Sequence, residues 1–138
     1  MNVSELSATA FLAATAAHAG FQLTVTALVY PALVRVPADR WVEAHARHSR
    51  GIVPLVVLVY GALVVTSVPF AVHHHCVAAW LGLSGAWGAM LVTAVAAAPT
   101  HGRLVTPEPH LLRRLLVVDR VRAGLACLAF AGAVATAL

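Results

Sequence analysis

Residues 52–72 read IVPLVVLVYGALVVTSVPFAV, a stretch without a single charged side chain. A helix needs roughly 20 apolar residues to cross about 30 Å of hydrocarbon, so this stretch is long enough to span a membrane. Three further uncharged runs are Ser7 to Val34, Val77 to Ala98 and Ala123 to Leu138. The pattern predicts an all-α, four-helix transmembrane bundle that forms a single integral membrane domain over residues 1–138. The predicted spans are approximately 7–34, 52–72, 77–98 and 115–138.

The composition agrees with a membrane location. Of 138 residues, 61% are hydrophobic and only 10% are charged, whereas a soluble domain carries about 25% charged residues. Helix-breaking residues lie near the ends of the runs, where Pro31 and Pro37 are expected to end the first span. Gly51 and Pro54 are expected to mark the entry to the second span. The connection after the third span is expected to be broken by Pro99, Gly102, Pro107 and Pro109.

The arginines predict the orientation, since the chain contains no lysine. All nine basic residues lie between the first two spans, between the last two, or at the start of the fourth: Arg35, Arg40, Arg47, Arg50, Arg103, Arg113, Arg114, Arg120 and Arg122. Because basic loops face the cytoplasm, we expect a multi-pass protein of a bacterial-type plasma membrane with both termini extracytoplasmic. The net charge of +4 is then explained by topology and by anionic lipid head groups, and no nucleic-acid partner is expected.

A polar stripe runs along the first predicted span. Thr15, His18, Gln22 and Thr26 recur at helical spacing, and Tyr30 continues the stripe toward the cytoplasmic end. Polar groups inside a membrane need partners, so this face should point into the bundle. The stripe is explained either by hydrogen bonds between helices or by the lining of a substrate cavity, and His18, Gln22 and Tyr30 are candidate substrate-binding residues.

Two charged residues mark the inner edge of the fourth predicted span. Counting back about 20 residues from the C-terminal Leu138 places Asp119 and Arg122 at this edge. One helical turn separates them, so they can form an ion pair. Arg122 is a further candidate for contact with substrate.

Residues 40–51, RWVEAHARHSRG, precede the second span. Helical spacing puts Trp41, His45 and His48 on one face, which predicts a short interfacial helix that directs them at the bundle. His101 follows the third span, and Asp119 begins the fourth at the same depth. We therefore expect His45, His48, His101 and Asp119 to converge on one site.

Three chemistries fit such a cluster. Three histidines are suitable ligands for a transition metal, and iron or copper is the candidate cofactor, held by His45, His48 and His101. Without a metal, the same histidines and Asp119 are candidate catalytic groups in which a histidine accepts a proton. In the third alternative, the histidines are interfacial residues with a structural role only.

A wider pattern of single residues resembles a known group of proteins. The residues that carry it are Gln22, Tyr30-Pro31, Trp41, His45, His48, Pro99, His101, Leu104, Asp119 and Arg122. The chain resembles small four-span bacterial integral membrane proteins of uncharacterised function and is similar in layout to the anthrone-oxygenase-like membrane family.

The resemblance implies a membrane oxidoreductase that oxidises a lipophilic aromatic or quinol-like compound. Gln22, Tyr30 and Trp41 would then contact or position the substrate. Two alternatives stay open on the residues alone: a small oligomeric transporter, and a structural or assembly subunit without catalysis. The expected partners are the lipid bilayer, a lipophilic small molecule and, in the transporter alternative, further copies of the chain.

Overall fold

The computed structural model describes all 138 residues and contains helices but no strand. The four long helical segments are Val3–Leu33, Ala38–His73, Val77–Gly102 and Pro109–Ala137, called here the first to fourth helices. The first three are long and apolar enough to cross a membrane, and the fourth is not among them. The all-α class is therefore confirmed, while the fourth span stays a prediction.

The first and third helices end among the predicted helix breakers, at Leu33 between Pro31 and Pro37 and at Gly102, but each helix includes one proline before its end. A π-helical turn precedes each proline, at Val25–Val29 before Pro31 and at Thr93–Ala97 before Pro99. Proline has no N–H, and its ring crowds the carbonyl four residues back in an α-helix. Each wider turn is closed by a bond across five residues, such as the one from the N–H of Tyr30 to the carbonyl of Val25. The helices therefore continue past both prolines.

The predicted interfacial helix is also corrected, because residues 40–51 are not a separate element. A 3₁₀ turn at Ala38–Arg40 leads directly into a continuous α-helix, Trp41–His73, which contains Gly51 and Pro54. At about 1.5 Å per residue, a segment of 36 residues is far longer than the roughly 30 Å of hydrocarbon. The histidine-bearing stretch is thus the extended N-terminal part of the second helix.

Small residues bring the third and fourth helices into close contact. A Cβ added at Gly132 would lie 2.4 Å from the backbone nitrogen of Gly82, and one added at Gly85 would lie 2.6 Å from that of Ala129. In a bilayer, such small residues allow backbones to approach and gain van der Waals contact. The first and second helices pack through Phe11 and Phe70, whose stacked rings are 4.2 Å apart.

The two ends of the bundle have different contacts. At one end, the hydroxyl of Ser7 lies 3.2 Å from Nε2 of His74, and the sulfur of Cys76 lies 3.9 Å from the hydroxyl of Thr136. Both termini therefore lie at the same end as the turn between the second and third helices. The residues of the predicted site lie at the other end, where Trp41 bonds to the segment after the third helix.

Candidate functional site

A cavity of about 500 Å³ lies between the second and third helices. Of its 17 lining residues, 11 are hydrophobic, so the space suits a lipophilic molecule. Three lining valines are largely exposed on the outer surface: Val53 at 56%, Val57 at 66% and Val105 at 72%. Solvent-exposed side chains therefore form part of the cavity wall.

The two proline-associated π turns border this cavity. Val25 and Tyr30 line it from the first helix, and Thr93 and Ala97 line it from the third. A π turn widens a helix locally and changes the direction of the side chains that follow it. A π turn thus forms part of the cavity wall in both helices. The π turn of the third helix also precedes His101.

Three histidines come together beside the cavity. Nε2 of His45 and Nδ1 of His101 are 2.8 Å apart, which is a hydrogen bond whose donor depends on the tautomers. The ring of His48 stacks on His101 with centroids 5.3 Å apart. His45 and His101 line the cavity, whereas His48 is not part of its lining. The second helix supplies two of these rings because residues three positions apart share a face.

Trp41 holds the histidine cluster in place. Its indole ring is 1% exposed and stacks on His45 at 5.2 Å with an interplanar angle of 15°. Its Nε1–H donates a hydrogen bond of 3.0 Å to the backbone carbonyl of Leu104. Trp41 therefore connects the second helix to the end of the third and fixes the plane of the His45 ring.

Asp119 lies in a separate polar group, called here the Asp119 network. Its carboxylate accepts hydrogen bonds of 2.7 Å from the amide of Gln22 and 2.6 Å from the hydroxyl of Thr26. Nη1 of Arg122 lies 3.4 Å from Oδ1 of Asp119. Nη2 of Arg122 donates a hydrogen bond of 3.3 Å to the hydroxyl of Tyr60. The predicted Asp119–Arg122 pair is present, and three helices contribute to the network.

The structure separates the predicted site residues into two sets. Tyr30, His45, His101 and Arg122 line the cavity. The others are outside its lining: His18, Gln22, Trp41, His48 and Asp119. Asp119 makes no hydrogen bond to a histidine, and it instead borders a second, smaller cavity of about 230 Å³. The expected four-residue convergence is thus a convergence of three histidines, with Asp119 in the neighbouring network.

The polar stripe of the first helix is buried, as its spacing predicted. Thr15, His18 and Gln22 are each 0% exposed. Gln22 serves a contact between helices through Asp119, whereas Tyr30 faces the cavity. His18 has no hydrogen-bond partner for either ring nitrogen and lies edge-on to Tyr60 at 5.5 Å.

Sequence reasoning missed Tyr60 and Thr93. Their hydroxyls are 2.6 Å apart, and Tyr60 accepts a hydrogen bond from Arg122. Both residues are polar and lie within uncharged runs. The rule that polar groups inside a membrane need partners would have singled them out.

The arrangement of the histidines gives no support to a metal site. No group of three or more histidine, cysteine, aspartate or glutamate side chains is arranged to hold a metal ion. Instead, Nε2 of His45 and Nδ1 of His101 are 2.8 Å apart and bond to each other.

Comparisons of the chain with protein-family models, with curated proteins and with solved structures found no match. The resemblance to the anthrone-oxygenase-like family therefore stays a prediction.

Proposed function

We propose that this chain is a membrane oxidoreductase that takes a lipophilic aromatic or quinol-like molecule from the bilayer. The molecule enters the cavity between the second and third helices and gives up a proton to the His45–His101 pair. The observation that carries this proposal is the hydrogen-bonded pair of histidines in the wall of a mainly apolar cavity. A pocket of this kind with a few convergent polar groups is the usual form of a small-molecule site.

Counting donors and acceptors explains why a pair is useful. Two neutral imidazoles together have two N–H groups and two nitrogen lone pairs. The bond between His45 and His101 uses one of each. The pair therefore keeps one acceptor and one donor, so it can take a proton from the substrate and release another from the partner ring. Nε2 of His101 is buried without a hydrogen-bond partner, so it is available to a bound molecule, whereas the partly buried His45 can exchange protons with water.

Proton removal prepares the substrate for oxidation, and dioxygen is the proposed oxidant. For a methylene between aromatic rings, the C–H electron pair stays on the substrate as a carbanion when the histidine pair takes the proton. One dioxygen molecule then reacts at this carbon: one oxygen atom becomes the carbonyl oxygen, and the other leaves as water with the two former methylene hydrogens. For a quinol, two protons and two electrons pass to dioxygen, which gives a quinone and hydrogen peroxide. No step requires a metal.

The membrane arrangement is part of the proposal. The fourth helix serves as a fourth span, and residues 1–138 act as one multi-pass domain in a bacterial-type plasma membrane. The nine arginines and the histidine cluster face the cytoplasm, and both termini are extracytoplasmic. A C-terminal reporter that is active only in the cytoplasm should be inactive, and an active one would refute this orientation.

Proton exchange without oxygen tests the chemistry directly. The full chain in lipid nanodiscs is mixed with anthrone in D₂O under argon, and loss of the methylene proton signal is followed by NMR. We expect faster exchange than with empty nanodiscs. His101→Gln and His45→Gln should lower the protein-dependent rate by about 10²- to 10⁴-fold. His73→Gln, at an exposed position of the opposite end, should leave it unchanged.

Oxygen uptake by the same samples completes the test. Consumption of one dioxygen per anthrone, lost in both cavity variants, would support the oxidoreductase. Exchange equal to that of empty nanodiscs would refute the proton-acceptor role. Binding of anthrone without exchange would refute catalysis in favour of the transporter, and absence of binding would favour the structural subunit.

A further inference from the structure

Arg122 is the most unusual residue in the cavity wall. It is 3% exposed, and the cavity that it lines is mainly apolar. Its two hydrogen bonds are long, at 3.4 Å to Asp119 and 3.3 Å to Tyr60, and its Nε has no partner. Burying a guanidinium with long hydrogen bonds and an unpartnered N–H destabilises the folded state, unless another acceptor bonds to the guanidinium.

Asp119 is the counterion of Arg122, but it bonds more closely to other side chains. The carboxylate accepts its shorter bonds from Gln22 and Thr26, at 2.7 and 2.6 Å. Tyr60 likewise lies closer to Thr93, at 2.6 Å, than to Arg122, and its hydroxyl donates to Thr93 because that residue's own hydroxyl donates to the carbonyl of Ala89. The neighbours of Arg122 thus have stronger bonds elsewhere, and the guanidinium keeps capacity for an acceptor from the cavity.

We propose that Arg122 forms an oxyanion subsite, so that the cavity selects lipophilic molecules with an acidic oxygen. The ligand class comprises aromatic carboxylates, phenolates and enolates whose apolar body fills the valine-lined part of the cavity. This inference rests on the proposed function and deepens it. An enolate or phenolate is also the anion that remains after the His45–His101 pair has taken a proton.

The subsite explains the position of Arg122 relative to the other polar groups. Arg122 comes from the fourth helix, whereas His45 and His101 come from the second and third. All three line one cavity, so a bound aromatic molecule can contact a proton acceptor and a fixed positive charge together. A guanidinium that is already desolvated stabilises an oxyanion more than one in water would.

A matched pair of ligands tests the subsite. 2-Naphthoate and naphthalene-2-carboxamide have nearly the same shape, but only the first is an anion at neutral pH. Their dissociation constants for the full chain in nanodiscs are measured by quenching of tryptophan fluorescence. We expect the carboxylate to bind about 10- to 150-fold more tightly, which corresponds to a hydrogen bond to a charged group.

Variants assign the preference to one side chain. Arg122→Gln should reduce the ratio of the two dissociation constants to about 1 while carboxamide binding is kept. Arg120→Gln makes the same charge change at an exposed position of the same helix and should leave the ratio unaltered. If Arg122→Gln does not fold, Arg122→Lys should lower the ratio, because lysine lacks the bidentate fork.

The outcomes separate this inference from the proposed function. Equal affinity for both ligands in the unmodified chain would refute the oxyanion subsite and leave the lipophilic cavity standing. Absence of binding by either ligand would refute the cavity itself and with it the proposed function. A carboxylate preference that persists in Arg122→Gln would also overturn the assignment.

Discussion

Replacing Gly132 by alanine should destabilise the bundle, because this residue lies where the third and fourth helices approach most closely. The new Cβ would lie 2.4 Å from the nitrogen of Gly82 and 2.7 Å from the carbonyl oxygen of Ala78. Both are backbone atoms, so no neighbouring side chain can turn away. Ordinary contact begins at 3.4 Å, so the two helices must separate by about 1 Å.

The expected cost follows from that separation. A gap of 0.5 to 1 Å removes about a quarter to a half of the dispersion attraction between facing atoms. Overpacking typically costs about 1–3 kcal/mol, and alanine recovers roughly 0.5–1 kcal/mol over glycine within a helix. We expect a net loss of about 1–2 kcal/mol in the free energy of unfolding, which is a factor of roughly 5–30 in the folding equilibrium.

Gly124 supplies the matched control in the same helix. A Cβ at this position meets no atom within 4 Å, so Gly124→Ala should be neutral or slightly stabilising. Unfolding by SDS in mixed micelles, followed by circular dichroism, compares the two variants with the unmodified chain. If Gly132→Ala unfolds at the same SDS fraction as Gly124→Ala, or a higher one, the close approach of these helices is refuted.

Three further predictions concern the site. Trp41→Phe removes the bond to the Leu104 carbonyl but keeps an aromatic ring against His45. It should cost about 1 kcal/mol of stability and lower the proton-exchange rate less than Trp41→Ala does. Equal exchange rates for the two variants would contradict a positioning role for Trp41. Asp119→Ala leaves Arg122 as a buried charge without a counterion and should destabilise by about 3–5 kcal/mol in the same SDS assay; an unchanged midpoint would show that the pair is dispensable. Purified protein should contain much less than one equivalent of iron or copper, and a chelator should not alter proton exchange; stoichiometric metal that disappears with either cavity histidine would overturn the metal-free mechanism.

Much of the local structure could be predicted from the sequence because each feature lies within one helix. The uncharged run at 52–72 lies within one long helix, and the buried stripe through His18 and Gln22 follows directly from helical spacing. The Asp119–Arg122 pair was predictable for the same reason, since residues three apart are neighbours on a helix.

Contacts between helices were harder to predict. Hydropathy gives the depth of a residue in the membrane, and depth correctly grouped His45 and His48 with His101. Depth does not give the direction of a side chain around the helix axis. Asp119 was placed with the histidines on depth alone, whereas its carboxylate faces Gln22 on the first helix.

The prolines show a different limit of sequence reasoning. The sequence predicts helix ends near Pro31 and Pro99 because proline opposes a regular α-helix, and each helix runs on past its proline to Leu33 or Gly102. A π turn removes that conflict by widening one turn of the helix. No local sequence signal distinguishes a helix that ends at a proline from one that continues through a π turn. The consequence is functional as well as structural, because both π turns border the cavity.

The division of the bundle into a tightly packed end and an open end links the fold to the proposed chemistry. Gly82 and Gly132 hold the third and fourth helices in backbone contact toward the end that carries both termini. Toward the opposite end, the third helix passes through its π turn and reaches His101 beside the cavity. Rigid packing at one end fixes the register of the helices, so the polar groups at the other end can be held in position around an open space. A substrate site that combines Arg122 with a histidine pair needs both properties, because a cavity without rigid walls would not keep a buried guanidinium and a proton acceptor at fixed places.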